Sequence, residues 1–339
     1  MRQGLYPEDE YLATLPAVAA LLAASRLGLL DRLVSEGMPV SEVLRAGPGA
    51  RLLIDTLTSA GILVQDDDHL VATPGFAQVW RARGDHAVAR LEMTARAARD
   101  ALTRPEMLLG AFDGFMADSE TFRLFRYDRA FGDSAAHVAA TRPYCDYVGS
   151  LTAAEAPQLV AAASLDGAGE VLEIGGNAGV LAGAFLERHA DLHYTVMDLP
   201  AVCRIGAERT AGRPWANRLR FLPGDARRDR WPGPVDAVVF KSMLHDWPDD
   251  QARAFLALAR DALRPGGRVL VMERAPVDGL PADAPVSAFT DVVFAPFFRP
   301  PERYCNWMTD AGLSAPEVTH IGTAPPFYVF EAHKPGPEP

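Results

Sequence analysis

The stretch Glu170-Val171-Leu172-Glu173-Ile174-Gly175-Gly176-Asn177-Ala178-Gly179-Val180 decides the fold of this 339-residue chain. A short apolar run ends in a glycine cluster, and an alanine-rich amphipathic segment, 181–189, follows it. That order is strand, tight turn, helix. Such a turn lets a ligand lie against bare backbone at a helix N-terminus, where N–H groups point outward. By itself the turn also fits any βα unit of an α/β domain. The next apolar run, 192–197, ends at Asp198. An acid there, about 20 residues past the glycines, suits a ribose diol, because one carboxylate accepts from both hydroxyls. A dinucleotide site would want G-x-G-x-x-G, and Asn177 and Val180 stand at its third and sixth positions, so the fit to NAD is poor.

Downstream, strands are predicted at 171–174, 193–197, 219–222, 237–241, 268–272, 318–321 and 327–331. Helices are predicted between them at 180–189, 201–211, 249–263 and 302–311. This is an α/β pattern: a mostly parallel sheet of seven strands with helices on both faces. Ligands of such sheets sit at the carboxyl ends of the strands, where Asp198, Asp225 and Lys241 fall.

Upstream, 11–34 is apolar at helical spacing and rich in Ala and Leu, which predicts one or two helices. Either they are core helices or their surplus apolar face pairs with a second copy of the chain. Short helices at 40–44 and 49–59 precede two apolar runs, 62–64 and 70–72, which flank Gln65-Asp66-Asp67-Asp68-His69 as a hairpin. Helix, helix and wing suggest a winged-helix unit. A DNA-reading surface needs Lys and Arg, but the wing tip is three aspartates and Arg51 is offset by Asp55, so the unit reads as a structural and dimerisation module. A helical stretch, 85–109, leads to Phe112, Phe115, Met116, Phe122, Phe125, Tyr127 and Phe131, which are core or the walls of a pocket for a flat ligand. Residues 141–163 read as helix, and 334–339 as a disordered tail.

Composition narrows the function. With 49% hydrophobic and 23% charged residues the chain is globular, and long enough for two domains. A net charge of −11 argues against nucleic acid and anionic membranes as partners. No apolar run approaches the ~20 residues of a spanning helix, and 1–10 lacks the pattern of a signal peptide. The three cysteines, Cys145, Cys203 and Cys305, lie far apart without zinc-like spacing, so no metal site is expected and a reducing cytoplasm is the simplest compartment.

Three motifs carry chemistry. Pro223-Gly224-Asp225-Ala226 follows the third strand, where a carboxylate and a backbone N–H can meet an adenine edge or simply cap a turn. Lys241-Ser242-Met243-Leu244-His245-Asp246-Trp247 follows the fourth strand and brings His245 to the rim of the sheet. Glu273 ends the fifth strand, where its carboxylate can bond one nitrogen of His245 and aim the other at a substrate.

With these motifs the chain resembles the S-adenosylmethionine (SAM)-dependent small-molecule O-methyltransferases, of plant caffeate type and bacterial antibiotic-tailoring type, which carry an N-terminal winged-helix dimerisation domain. The resemblance rests on LEIGGNAG, MDLP, GDA, FKSMLHDW and VLVMERAPV in that order, and covers about residues 10–332. It implies a Rossmann-like class I sheet and a division into a dimerisation domain at 1–100, a helical linker contributing to the substrate pocket at 101–163, and a SAM-binding domain at 164–333. It implies that Gly175 underlies the methionine part of the cofactor and that Asp198 binds the ribose, with Leu199, Asp225 and Ala226 around the adenine. Lys241 would lie near the amino-acid end. His245 would be the general base, Glu273 the acid that orients it, and Glu302 a second flanking acid, with Asp291 its runner-up. Two residues depart from the family pattern: Asn177 in the glycine loop, a type that tolerates left-handed backbone, and Ala226 where an aromatic is common. The expected acceptor is a small, flat aromatic hydroxyl compound of secondary metabolism. Met243, Trp247, Phe294, Phe297, Phe298 and Tyr304 are candidates for its walls, or for core. Competing readings are carbon or nitrogen methylation, non-methylating use of the same cofactor, a winged-helix regulator sensing a small molecule, and an NAD enzyme.

Overall fold

A computed structural model describes residues 14–276, 293–323 and 326–336. The chain divides into two compact units, Met1–Leu108 and Leu109–Pro339. The first holds α1 (Thr14–Arg26), α2 (Leu29–Ser35), the two-residue β1 (Met38–Pro39), α3 (Val40–Leu44), α4 (Ala50–Ser59), the hairpin β2 (Leu63–Asp66) and β3 (His69–Ala72), and the long α5 (Pro74–Thr103). The apolar stretch at 11–34 makes two helices because Gly28 takes a left-handed turn, φ +67°, between them. The hairpin pairs antiparallel as expected, with Asp67 at its tip in the left-handed region, and β1 adds to β3. Leu30, Leu33, Ile54, Leu57, Leu70 and Trp80 fill the core of this unit.

After α6 (Pro105–Gly110), the second unit begins with α7 (Phe112–Asp118), α8 (Glu120–Leu124), a 3₁₀ turn at Asp128–Ala130 and α9 (Ala135–Ala162). The stretch expected as a linker therefore groups, from Leu109 onward, with the sheet-bearing unit. Then come β4 (Glu170–Ile174), α10 (Val180–Arg188), β5 (His193–Asp198), α11 (Pro200–Thr210), β6 (Leu219–Pro223) and β7 (Val235–Lys241). A 3₁₀ turn at Leu244–Asp246 leads to α12 (Asp249–Ala262), β8 (Leu263–Arg274), α13 (Pro301–Asp310), β9 (Glu317–Ile321) and β10 (Phe327–His333). Lys334, expected to begin a loose tail, is held instead: its backbone N–H donates to Gly267 and its ammonium to the Leu263 carbonyl.

The seven strands stand in the order β6-β5-β4-β7-β8-β10-β9. Five run parallel, and β10 is antiparallel to both β8 and β9. Alternate residues serve opposite faces, as the two-residue period of a strand requires. Leu172, Ile174, Val238 and Phe240 pack with Phe255 and Leu256 of α12 and Trp307 of α13. Val171, Ala237, Val239 and Leu270 pack with Phe185 of α10 and Leu159 of α9. Each large side chain so enclosed contributes about 1.5–3 kcal/mol. The chain winds one way from β4 to β6 and the other way from β7, so β4 and β7 flank the point where strand order reverses. A crevice opens there at the carboxyl ends of the strands.

Candidate active site

The glycine turn is built as a cradle. Gly175 has φ +69° and donates its N–H to the Met197 carbonyl at 2.9 Å. A Cβ on it would lie 2.9 Å from Cγ of Met243, and one on Gly176 would lie 2.6 Å from the carboxyl carbon of Glu173. Asn177 sits at φ +52°, the left-handed backbone its type tolerates. Its N–H donates to Asp198 Oδ2 at 2.8 Å, and the Leu199 N–H donates to Asp198 Oδ1 at 2.7 Å. Enclosure pushes the Asp198 carboxyl up to about 6, against the opposing pull of those two bonds.

These groups face a cleft at the carboxyl ends of the strands. Gly175, Asp198, Leu199, Asp225, Ala226, Met243 and Trp247, all named from sequence, line it. Tyr127, one of the aromatics offered as core or pocket wall, lines it too, and so do Arg129, Tyr144 and Ser242, which were not foreseen. Arg129 lies over the Tyr144 ring at 5.0 Å, and its buried Nε and Nη1 have no hydrogen-bond partner among the described residues. Burial pulls its guanidinium below the ordinary value. Ser242 is held at φ +49°, an uncommon conformation for a side-chain-bearing residue and one that clusters at functional sites.

Two expected cofactor contacts are otherwise engaged. The Asp225 carboxylate is gripped by Arg227, with Nε at 2.8 Å and Nη2 at 2.7 Å, which holds it below the usual carboxylate range. Lys241 is not among the cleft residues. Its ammonium lies 2.7 Å from Glu155 and donates to Thr152 at 3.1 Å, in a buried group that also holds Arg274. The lysine follows β7 to its end but turns toward α9, where Glu155 supplies the charge that a buried ammonium needs.

His245 sits on the 3₁₀ turn after β7. Its Nδ1 is 2.5 Å from Glu273 Oε2, as the sequence led us to expect. Glu273 Oε1 accepts the N–H groups of Met243 at 3.1 Å and Leu244 at 2.8 Å, so one buried carboxylate orients both the ring and its turn. His245 Nε2 lies 3.3 Å from Asp246 Oδ1, and the Tyr127 hydroxyl donates to Asp246 Oδ2 at 2.9 Å. Burial works against protonating His245, but Glu273 and Asp246 outweigh it and raise its pKa. Burial likewise opposes ionising Glu273, and the imidazole and the two N–H bonds prevail and lower it.

Among the described residues, the acid beside His245 Nε2 is Asp246, and Glu302 does not reach it. Glu302 is exposed in the first turn of α13, with no hydrogen bond or ion pair to His245 among the described residues. Phe298 occupies that side, its ring edge-on to the imidazole at 5.5 Å. Asp291 falls outside the described residues. Phe298 and Phe297 line a second recess with His245, and Asp246 and Trp247 border both recess and cleft. Phe294 packs among Phe122, Phe125 and Phe297. Tyr304 is core, buried against Trp307 and Phe330.

An O-methyltransferase domain matches residues 116–309. A 3-hydroxy-5-methyl-1-naphthoate 3-O-methyltransferase of Streptomyces sahachiroi is 30% identical over 318 residues, 90% of this chain and 88% of that one. This chain belongs to the O-methyltransferase family. An N,N-dimethyltransferase, OxyT of Streptomyces rimosus, is 31% identical over 75% of this chain and 74% of its own. The solved structure of the mitomycin 7-O-methyltransferase MmcR shares the fold, with a TM-score of 0.75 over 96% of each chain at 22% identity. As a member of this family the protein is a SAM-dependent methyltransferase. The cleft fits SAM: a bare glycine backbone, a carboxylate held by two N–H groups and a guanidinium whose buried Nε and Nη1 have no hydrogen-bond partner among the described residues all line it.

Proposed function

We propose that this methyltransferase moves the methyl group of SAM to a hydroxyl of a small aromatic secondary metabolite, with His245 as general base. The observation that carries this reading is the His245–Glu273 pair, with His245 lining a recess that shares Asp246 and Trp247 with the cleft. The names of the relatives, a naphthoate and a mitomycin enzyme, support the acceptor class. Asp198 would hold the ribose, Leu199 and Ala226 would flank the adenine, and Arg129 would meet the methionine carboxylate. When bound, SAM supplies a methyl already activated on a sulfonium.

The remaining task of the protein is to align the acceptor oxygen and remove one proton. A phenol titrates near 10 and an imidazole near 6.5. His245 therefore takes the proton as the oxygen attacks, without forming a free phenolate first. Glu273 at Nδ1 fixes the tautomer that leaves Nε2 as acceptor and stabilises the imidazolium that forms. Asp246 Oδ1 lies 3.3 Å from Nε2, the position the acceptor hydroxyl would take.

Mass spectrometry of reactions with SAM and a panel of phenols, hydroxynaphthoates, polyketides and amines tests the reading. A gain of one methyl on an oxygen, located by fragmentation, is expected. Transfer only to nitrogen or carbon would overturn it.

The exposed Leu27, Leu52 and Val79 of the first unit support a homodimer formed through the N-terminal helices. Sedimentation at micromolar concentration should give twice 36.6 kDa, and a monomer would remove that proposal.

A further inference from the structure

The turn that carries His245 is weakly held by its own backbone. Its two internal hydrogen bonds, from Asp246 to Met243 and from Trp247 to Leu244, are long at 3.2 and 3.3 Å. No side chain of the turn itself caps it. Its N–H side is fixed by Glu273. Its carbonyl side is fixed by Arg299, a residue no sequence motif singled out. Arg299 Nη1 donates to the Leu244 carbonyl at 3.0 Å and Nη2 donates to the Trp247 carbonyl. Nε donates to Asp249 Oδ1 at 3.1 Å, and the guanidinium lies 5.3 Å over the Trp307 ring. The side chain is only 12% exposed. Leu244 and Trp247 bracket His245, so one planar fork spans the residues on both sides of the imidazole. Only a guanidinium offers several donors in a fixed plane for this task.

We propose that Arg299 is a positioning residue that holds the His245 turn in register with Glu273, so that the imidazole is poised for the proton transfer described above. This rests on the reading of His245 as the base, but its geometric content can be tested alone. Loss of the fork should let the turn swing and lengthen the His245–Glu273 bond. A misplacement of this kind typically costs about 10²-fold in turnover.

The groups that face His245 are Glu273 and Arg274 from β8, Asp246 from its own turn with Tyr127 behind it, and the Phe298 ring. Removing a nearby cation by itself would raise the titration midpoint of a histidine. Loss of the Glu273 contact would lower it toward the ordinary value of about 6.5. Arg299 also favours the ionised form of Asp246, so the Nδ1 proton resonance, which reports the Glu273 contact directly, is read beside the midpoint.

The experiment is a pH titration of full-length, ¹⁵N-histidine-labelled protein by NMR, with the His245 signals assigned from their loss in His245→Gln. In Arg299→Gln the midpoint should fall and the Nδ1 proton resonance should move upfield, while affinity for S-adenosylhomocysteine stays within about twofold. In Arg299→Lys, which replaces the fork by a point charge, both changes should be intermediate; this variant is read if Arg299→Gln does not fold. A midpoint and Nδ1 resonance unchanged from wild type in either folded variant, or a raised midpoint, would overturn the proposal. Failure of the base reading shows up elsewhere, as methyl transfer that survives in His245→Ala.

Discussion

At the scale of single residues, His245 lies between two carboxylates, and its raised pKa has a kinetic consequence. A general base works deprotonated, so turnover should rise with pH through a midpoint above the ordinary 6.5 of an imidazole. Asp246 supports the charged form of His245, so Asp246→Asn should shift this acid limb to lower pH. An acid limb that stays in place in a folded Asp246→Asn protein would show that Asp246 does not act on the base. Asp198 gives a second pH effect. A carboxylate accepts from ribose hydroxyls best when ionised, and enclosure has raised this one to about 6. Affinity for S-adenosylhomocysteine should therefore increase as pH rises through about 6 and level off above it, with proton release on binding below that point. Calorimetry at several pH values measures both. In Asp198→Asn the affinity should be lower and this pH step lost. Asp198, Glu273 and His245 were legible because each ends a recognisable strand or follows one in a motif. Arg129 and Ser242 were not, because what marks them is a pair of buried, unbonded guanidinium nitrogens among the described residues and a left-handed backbone, neither of which has a sequence pattern. Glu302 was suggested by its position along the chain, and the first turn of α13 leaves it exposed.

At the scale of elements, the sheet was readable because buried parallel strands appear as short apolar runs between amphipathic helices. Seven strands and the helices between them formed close to their expected limits. Strand ends were harder: β8 begins at Leu263, well before the apolar run at 268–272. The close packing of helix on sheet was also invisible. On α11, Gly206 lies so near the Phe221 ring of β6 that a Cβ would be 2.3 Å from it. Gly206→Ala should therefore destabilise the protein by about 1–3 kcal/mol through overpacking, although alanine is the better helix former. Denaturant unfolding read by circular dichroism checks this, and an unchanged or higher midpoint would contradict it.

At the scale of the whole molecule, charge and composition excluded more than they identified. A net charge of −11 and an aspartate-tipped hairpin steer the chain away from nucleic acid, and no helix among the described residues is long and apolar enough to cross a membrane. The presence of two units was legible from the change from helical to alternating pattern, but the position of the boundary was not. The boundary falls at Leu108–Leu109, inside a continuous helical region. The proposed function divides the chain's work into two tasks, holding SAM along β4 and β5 and moving a proton at the ends of β7 and β8. One variant separates them. His245→Ala should lower single-turnover methyl transfer to an acceptor identified by mass spectrometry by roughly 10²–10⁴-fold, while calorimetry finds S-adenosylhomocysteine affinity within about twofold of wild type. Transfer at the wild-type rate in that variant would contradict the account.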